Sequence, residues 1–331
     1  MASPNPDSLK LVKDFSRPSI AFAVARVPKT TQIFLGSSDF KVSGADLAAA
    51  KFEAKDLYGH ASYVTGLALA GDVLVSGGYD GKLTWWDTVI AKTIRTVDAH
   101  AKWVRKVVAS PDGKQVASVA DDMLCKIWDA ETGKVIHTLK GHEEKTPTHF
   151  GSMLYAVGYS PDGKYLATAD KVGHIVVWDA KTGKELSSVE APIMYTWDAK
   201  ARMHSIGGVR SVAFSPDSKF LAVGGTGKIG NIDHLEAKAR VEVFDWQAKK
   251  QVAEFVADKS QGLVNRLEFA KDGSWLLGAG GAGEGFLIFL DVAGKKILKQ
   301  EKAPMHVHDF VLSDDSLVAV GHNKVCHYKL G

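Results

Sequence analysis

Ser110-Pro111-Asp112-Gly113-Lys114 leads into Trp128-Asp129-Ala130-Glu131-Thr132-Gly133-Lys134. The same words return as Ser160-Pro161-Asp162-Gly163-Lys164 and Trp178-Asp179-Ala180-Lys181-Thr182-Gly183-Lys184, and the first returns again as Ser215-Pro216-Asp217-Ser218-Lys219. A chain that repeats itself at this scale stacks one supersecondary unit many times. Aligning the acidic residue that closes each aromatic run gives Asp46, Asp87, Asp129, Asp179, Asp245 and Asp291, with steps of 41, 42, 50, 66 and 46 residues. Between these markers lie short runs of β-branched and aromatic residues, punctuated by Asp-Gly and Gly-Asp. In the second unit they are residues 64–70, 73–77, 82–86 and 92–97. Such runs predict antiparallel hairpins, four strands to a unit. A lone four-stranded unit leaves apolar faces uncovered, whereas units packed radially bury them and leave only short edges.

The composition agrees. The 331 residues are 45% apolar, 24% charged and 9% aromatic, with 32 Gly and 10 Pro, which excludes a disordered or collagen-like chain. Forty-one basic against 38 acidic residues leave +3, too balanced for a partner read through its phosphates, so nucleic acid is not expected. No apolar run is long enough for a membrane span, and the polar, proline-bearing residues 1–8 do not read as a signal peptide. Cys125 and Cys326 stand 201 residues apart and neither lies in a CxxC, so neither a disulfide framework nor a zinc site is expected, and a reducing, cytoplasmic setting follows.

These residues resemble the WD-repeat (WD40-type) β-propeller family over nearly the whole chain, and the terse turns resemble its bacterial members. The family pattern is Gly-His, then Ser or Thr, then Asp, then Trp-Asp. The second unit matches with Gly59-His60, Ser76, Asp80 and Trp86-Asp87, the third with His100, Ser118, Asp122 and Trp128-Asp129. The resemblance implies that each set forms a hydrogen-bonded chain tying a blade's outer turn to its inner strands. The fourth unit keeps His142, Thr168 and Trp178 but has Val172 where the pattern asks for Asp. The fifth and sixth, ending in Phe244-Asp245 and Leu290-Asp291, are expected to rely on apolar packing. The implied fold is all-β, a seven-bladed propeller of four-stranded antiparallel blades over residues 1–331. Residues 1–7 are read as a disordered tail and 8–15 as a strand that closes the last blade. The blades fall at about 19–57, 61–98, 103–140, 152–190, 207–256, 262–301 and 305–330, with a mean of about 47 residues in keeping with a WD-type period plus insertions.

The insertions, 143–151, 191–207 and 226–239, all fall in d–a or b–c connections and therefore on one face, and the last two should adjoin. On that face the residues before strand a are Tyr63, Trp103, Met153, Gly208, Leu263 and His306. An inner ring holds Thr65, Arg105, Tyr155, Arg210, Asn265 and His308, and a third set, before the b–c turn Asp, is Tyr79, Asp121 and Lys171. In the family these positions commonly contact partners. Aromatic and arginine side chains are the types that carry binding energy at protein interfaces. The expected function is a non-catalytic scaffold binding a protein or peptide there, the chain itself being monomeric outside any larger complex. Tyr63, Tyr79 and Trp103 are expected to form one aromatic patch. Arg105 and Arg210 are expected to offer two guanidinium forks to an acidic or phosphorylated peptide. The alternative is a propeller enzyme or metal-dependent small-molecule binder using His204, Asp233, His234, His306 and His308. That alternative lacks a GxSxG, an activated cysteine context and a placed third ligand beside His306-x-His308. No catalytic residue, metal or cofactor is expected. Residues 278–285 lack the Lys-Ser/Thr and helix of a phosphate loop and read as a long, flexible b–c turn.

Overall fold

The computed structural model describes residues 4–198, 204–230 and 236–331. It contains seven four-stranded antiparallel sheets, the blades of a seven-bladed β-propeller. The chain forms two compact units, residues 1–8 with 141–307 and residues 9–140 with 308–331.

The second of these holds blade 1 (Ala21–Arg26, Gln32–Ser37, Lys41–Asp46, Lys55–Gly59), blade 2 (Val64–Ala70, Val73–Gly78, Lys82–Asp87, Lys92–Asp98), blade 3 (Val104–Ala109, Gln115–Ala120, Cys125–Asp129, Val135–Leu139) and blade 7 (Val307–Leu312, Ser316–Gly321, Lys324–Lys329). Blade 7 receives its fourth strand from the N-terminus. Lys10–Ser16 pairs antiparallel with Lys324–Lys329, and Asp14 meets Lys324 Nζ at 2.5 Å. The other unit holds blade 4 (Leu154–Tyr159, Tyr165–Asp170, His174–Asp179, Glu185–Glu190), blade 5 (Ser211–Phe214, Phe220–Thr226, Lys238–Asp245, Lys250–Gln261) and blade 6 (Leu263–Phe269, Leu276–Gly281, Gly285–Asp291, Lys296–Ala303). A two-stranded hairpin, Tyr195–Asp198 with His204–Gly207, grows from the connection after blade 4. Residues 4–8, expected within or beside a tail, include a 3-10 turn at Pro6–Ser8 that rests on blade 6. The Trp275 indole donates to Pro4 O at 2.9 Å and Lys299 Nζ to Pro6 O at 3.3 Å, so backbone acceptors in this segment find donors.

The repeated words are turn chemistry. In Ser110-Pro-Asp-Gly the Ser110 hydroxyl donates to Asp112 at 2.6 Å and accepts the Gln115 amide at 2.9 Å, while Gly113 takes φ +70°. In Asp129-Ala-Glu-Thr-Gly the Asp129 carboxylate accepts the amide and hydroxyl of Thr132 at 2.7 and 2.6 Å. Each word closes a hairpin without help from the core.

The hydrogen-bonded chains differ from expectation in two blades. Blade 3 follows the pattern: Asp122 to His100 at 3.1 Å, His100 Nε2 to Ser118 at 2.8 Å, and the Trp128 indole donating to Ser118 at 2.9 Å. In blade 2 the same His60–Asp80 and His60–Ser76 contacts form, but the third group on Ser76 is the Tyr58 hydroxyl at 3.1 Å, with its ring stacked on Trp86. Blade 4 is complete after all. Asp170, two residues before Val172, takes the carboxylate's role: it meets His142 Nδ1 at 3.0 Å and accepts the amides of Val172 and His174. Position along the b–c turn matters less than reach, because a strand that ends in Asp aims the carboxylate at the same ring.

The expected flexible turn at 278–285 is also different. Gly278–Gly281 are buried within a strand of blade 6, and only residues 282–284 turn. The glycines are there for room. A Cβ on Gly280 would sit 1.7 Å from Leu263 O, and one on Gly285 1.5 Å from Met305 O.

Asp170→Ala is expected to destabilise the fold by about 1–3 kcal/mol in urea unfolding, since it strands His142, and adding Val172→Asp should restore part of the loss, because Asp80 and Asp122 reach their imidazoles from that same position in blades 2 and 3. Burial pushes the carboxyls of Asp80 and Asp122 up, but the hydrogen bonds and charge of His60 and His100 outweigh it and hold both below the usual value. Their contribution is present above the ordinary carboxylate range and is lost as pH falls below about 4. Asp122→Asn should therefore flatten the acid limb of the stability curve measured by thermal melts between about pH 5 and 2.

Candidate functional site

In the unit with blades 1, 2, 3 and 7, the backbone itself pairs the loop residues of interest. Tyr79 N donates to Tyr63 O at 2.9 Å and Asp121 N to Trp103 O at 3.1 Å, so the residue before each strand a is held beside the residue before the b–c turn. The inner-ring positions share a second device. The ladder of strands a and b shifts register at Val64/Gly66 and at Val104/Lys106, leaving Thr65 and Arg105 unpaired at β-bulges. A bulge re-aims the side chain out of the sheet's alternation.

The result is a row of rings. Phe40 to Tyr63 is 5.6 Å, Tyr63 to Tyr79 5.7 Å, and Tyr79 stacks on Trp103 at 4.4 Å with only 4° between planes. Phe40, Tyr63 and Trp103 remain 41%, 41% and 49% exposed. Arg105 lies against the last two rings, 4.9 Å from Tyr79 and 5.2 Å from Trp103. Its fork is closed by Asp121, Nε at 2.7 Å and Nη2 at 2.6 Å, and its Nη1 donates to the Tyr79 hydroxyl at 2.5 Å. The Arg105 fork expected for a ligand is thus spent on its own carboxylate, which locks the stack. Thr65 is likewise used internally, donating to Val104 O at 2.6 Å. Lower on the same strands, Lys106 meets Asp309 at 3.1 Å, and Asp309 accepts the Val24 amide at 3.3 Å.

Two aromatic residues were not foreseen. Phe22 occupies the bulge of blade 1, at the register shift Ala21/Ala23, and its ring lies 5.5 Å from Tyr63 and 5.0 Å from His308. It is the inner-ring residue of a blade whose motif is degenerate. Phe40 holds φ +70° where blade 2 has Gly81 at φ +76°. A bulky residue in a glycine conformation was its signal.

In the other unit, Arg210 lies flat on Tyr155, its guanidinium carbon 3.7 Å from the ring centroid, and the Tyr155 hydroxyl meets Met153 Sδ at 2.7 Å. Lys171 is buried, its amide donating to Met153 O. Leu263 is half-buried at the start of blade 6 and gives its carbonyl to the close approach over Gly280. His306 is 9% exposed, and its Nε2 faces the amide nitrogen of Asn265 at 2.9 Å. The same nitrogen donates to Val307 O at 2.8 Å, which fixes the amide's orientation and makes His306 Nε2 an acceptor. That nitrogen is engaged by the blade. Asp233 and His234 lie outside the described residues, as does the side chain of His204.

The insertions adjoin. The Ile229 amide donates to Thr196 Oγ1 at 3.0 Å, joining the third to the second as expected. The first joins them too: Thr148 meets the Tyr195 hydroxyl at 2.8 Å and Phe150 packs on Trp197 at 5.1 Å. Residues 199–203 of the second insertion and 231–235 of the third lie outside the described residues.

The family model for the WD domain, G-beta repeat, matches residues 52–87, 91–129, 133–179 and 200–229. With the seven four-stranded sheets, this makes the chain a WD-repeat β-propeller. Among curated proteins it is 37% identical over 84 residues to the nuclear distribution protein PAC1-2 of Uncinocarpus reesii, covering 25% of this chain and 18% of that protein. It is 33% identical over 103 residues to PAC1 of Arthroderma otae, 28% and 22% of the two chains. The match to nudF of Aspergillus niger is 26% over 110 residues, 32% and 25%. The aligned stretch thus spans a quarter or less of each of these relatives.

In a double-mutant cycle, Arg105→Ala and Asp121→Ala should couple by about 0.5–3 kcal/mol in chemical unfolding. Arg105→Lys should recover little of it, because an ammonium cannot grip both carboxylate oxygens and Tyr79 at once.

Proposed function

We propose that the chain is a non-catalytic scaffold that binds a protein or peptide partner on its loop face, with Tyr63, Tyr79 and Trp103 as the contact surface and Arg105 and Asp121 as the groups that hold it rigid. One observation carries this reading. A row of aromatic rings, three of them 41% exposed or more, is locked in place by a bidentate ion pair. Fixing such rings has no benefit to a core they do not enter, whereas a rigid aromatic surface binds with little loss of side-chain entropy. Exposed contiguous apolar area of this kind marks interaction sites.

The bidentate Arg105–Asp121 pair sets the ligand chemistry. An acidic or phosphorylated ligand would have to displace a carboxylate already held by two hydrogen bonds, so at this face flat apolar groups are favoured over anions. Within the unit that holds blades 4, 5 and 6, Arg210, spread on Tyr155 beside Met153, and the conjoined insertions are read as partner contacts in their own right, with Leu263 and His306 as flanking positions. Both cysteines are buried free thiols, which suits a reducing, cytoplasmic compartment. Among the described residues no helix is long and apolar enough to cross a membrane.

The deciding experiment is affinity capture with the full chain against Trp103→Ala and Tyr79→Ala. Each substitution should remove at least about 2 kcal/mol of binding, roughly thirtyfold in Kd, while the melting temperature moves by no more than about 2 °C. Retention of every partner by both variants would sink the reading. Unfolding of Trp103→Ala would instead return that ring to a structural role.

A further inference from the structure

The gap between blades 4 and 5 is plugged by a single side chain. Trp246 follows the closing Asp245 of blade 5 and is 3% exposed. Its ring lies edge-on to Tyr165 at 4.9 Å and to Phe214 at 6.4 Å, and its indole nitrogen donates to Ser218 O at 2.8 Å. Ser218 sits in the a–b turn at φ +60°, its amide bonded back to Ser215 O.

One blade further on, the same frame is built again without the plug. Phe220 stands at the position of Tyr165, Phe269 at that of Phe214, and Gly273 at that of Ser218. Gly273 has φ +75° and its amide is bonded back to Ala270 O, so its carbonyl is presented by the same turn. The residue after the closing Asp291 is Val292 instead of Trp. What remains is a cavity of about 510 Å³, walled by Phe220, Val252, Phe269 and Val292, with Asp217, Asp272 and Lys295 at its mouth. The volume falls within the range of ligand sites, and a dry apolar cavity of about 150 Å³ already accepts a benzene ring. On blade 6 itself an indole is already met by a backbone carbonyl, Trp275 donating to Pro4 O of the N-terminal segment. The site between blades 5 and 6 is left open.

We infer that this cavity is a receptor for an indole ring, and that its occupant is a tryptophan side chain on a segment of a partner protein. The molecule supplies its own template: two aromatic walls and a turn carbonyl at the position that takes the indole N–H one blade earlier. Asp217 and Asp272 stand against Lys295, and Lys219 Nζ lies over the Phe220 ring at 5.2 Å, so the surroundings hold no excess of cations to grip the carboxylate of free tryptophan and favour a ring carried in a chain, where that carboxylate is spent in a peptide bond. None of the residues of the proposed partner face takes part, so the two readings stand or fall separately.

The test uses the full chain and isothermal titration with the peptide acetyl-Lys-Trp-Lys-amide, the same peptide with Leu for Trp, indole and free tryptophan. The tryptophan peptide should bind saturably and at least about tenfold tighter than the leucine peptide or free tryptophan, with indole alone measurable. Val292→Trp should fill the cavity from within, raise the melting temperature and abolish binding. Phe220→Leu, a milder change that keeps the fold, should weaken the peptide at least about threefold. Absence of binding by both indole and peptide would overturn the inference. So would unchanged peptide affinity in a folded Val292→Trp, or in Phe220→Leu if Val292→Trp does not fold. Binding of indole or free tryptophan as tight as that of the peptide would overturn the partner segment as its source.

Discussion

A four-stranded sheet has two faces and, among the described residues, no α-helix to cover either. Each blade therefore depends on the apolar groups packed against it, and blades 2, 3 and 4 also on a polar chain that fixes the outer turn. The His–Ser/Thr contact is the pivot. In blades 2, 3 and 4 the imidazole bridges a carboxylate on the turn and a buried hydroxyl in the second strand. Remove the hydroxyl and a buried ring nitrogen, a carboxylate and an aromatic donor all lose their arrangement together. Blades 5 and 6, whose closing residues depart from Trp-Asp, bury apolar groups instead, among them Phe244, Phe286 and Leu290, all under 5% exposed.

Most of this is legible from residue order because turns are local. Ser-Pro-Asp-Gly and Asp-x-x-Thr-Gly fold on themselves, so they can be recognised wherever they occur, and they mark the ends of every strand between them. The N-terminal strand could be assigned to the last blade because its neighbours in that sheet were one strand short. What depends on distance in space is less visible. Val172 stands at the expected place for an acid, yet Asp170 reaches the same imidazole from two residues earlier. The glycines of 278–285 look like a loop until the carbonyls of Leu263 and Met305 are seen to press on them.

The site shows the same division. The identities of Tyr63, Tyr79, Trp103, Arg105 and Asp121 can be read by aligning repeats, since each repeat places its loop residues alike. That Arg105 is satisfied by Asp121 cannot be read that way, because the repeat says where side chains start and not which of them meet. Phe22 and Phe40 were hidden for a different reason. They belong to the blade with the weakest motif, and only the bulge and the left-handed backbone reveal them.

The pairing of Lys10–Ser16 with Lys324–Lys329 has a consequence in time. On the ribosome the first strand of the propeller to be made is the last to find its place, because its partner is made more than 300 residues later. At about 5–20 residues per second that is a wait of roughly 15 to 60 s. During it the segment is an unpaired strand with Lys10, Lys13 and Asp14 along it, charges that discourage pairing with the wrong chain. The fold thus holds its own beginning in reserve, and it can close only after translation has passed the final strand.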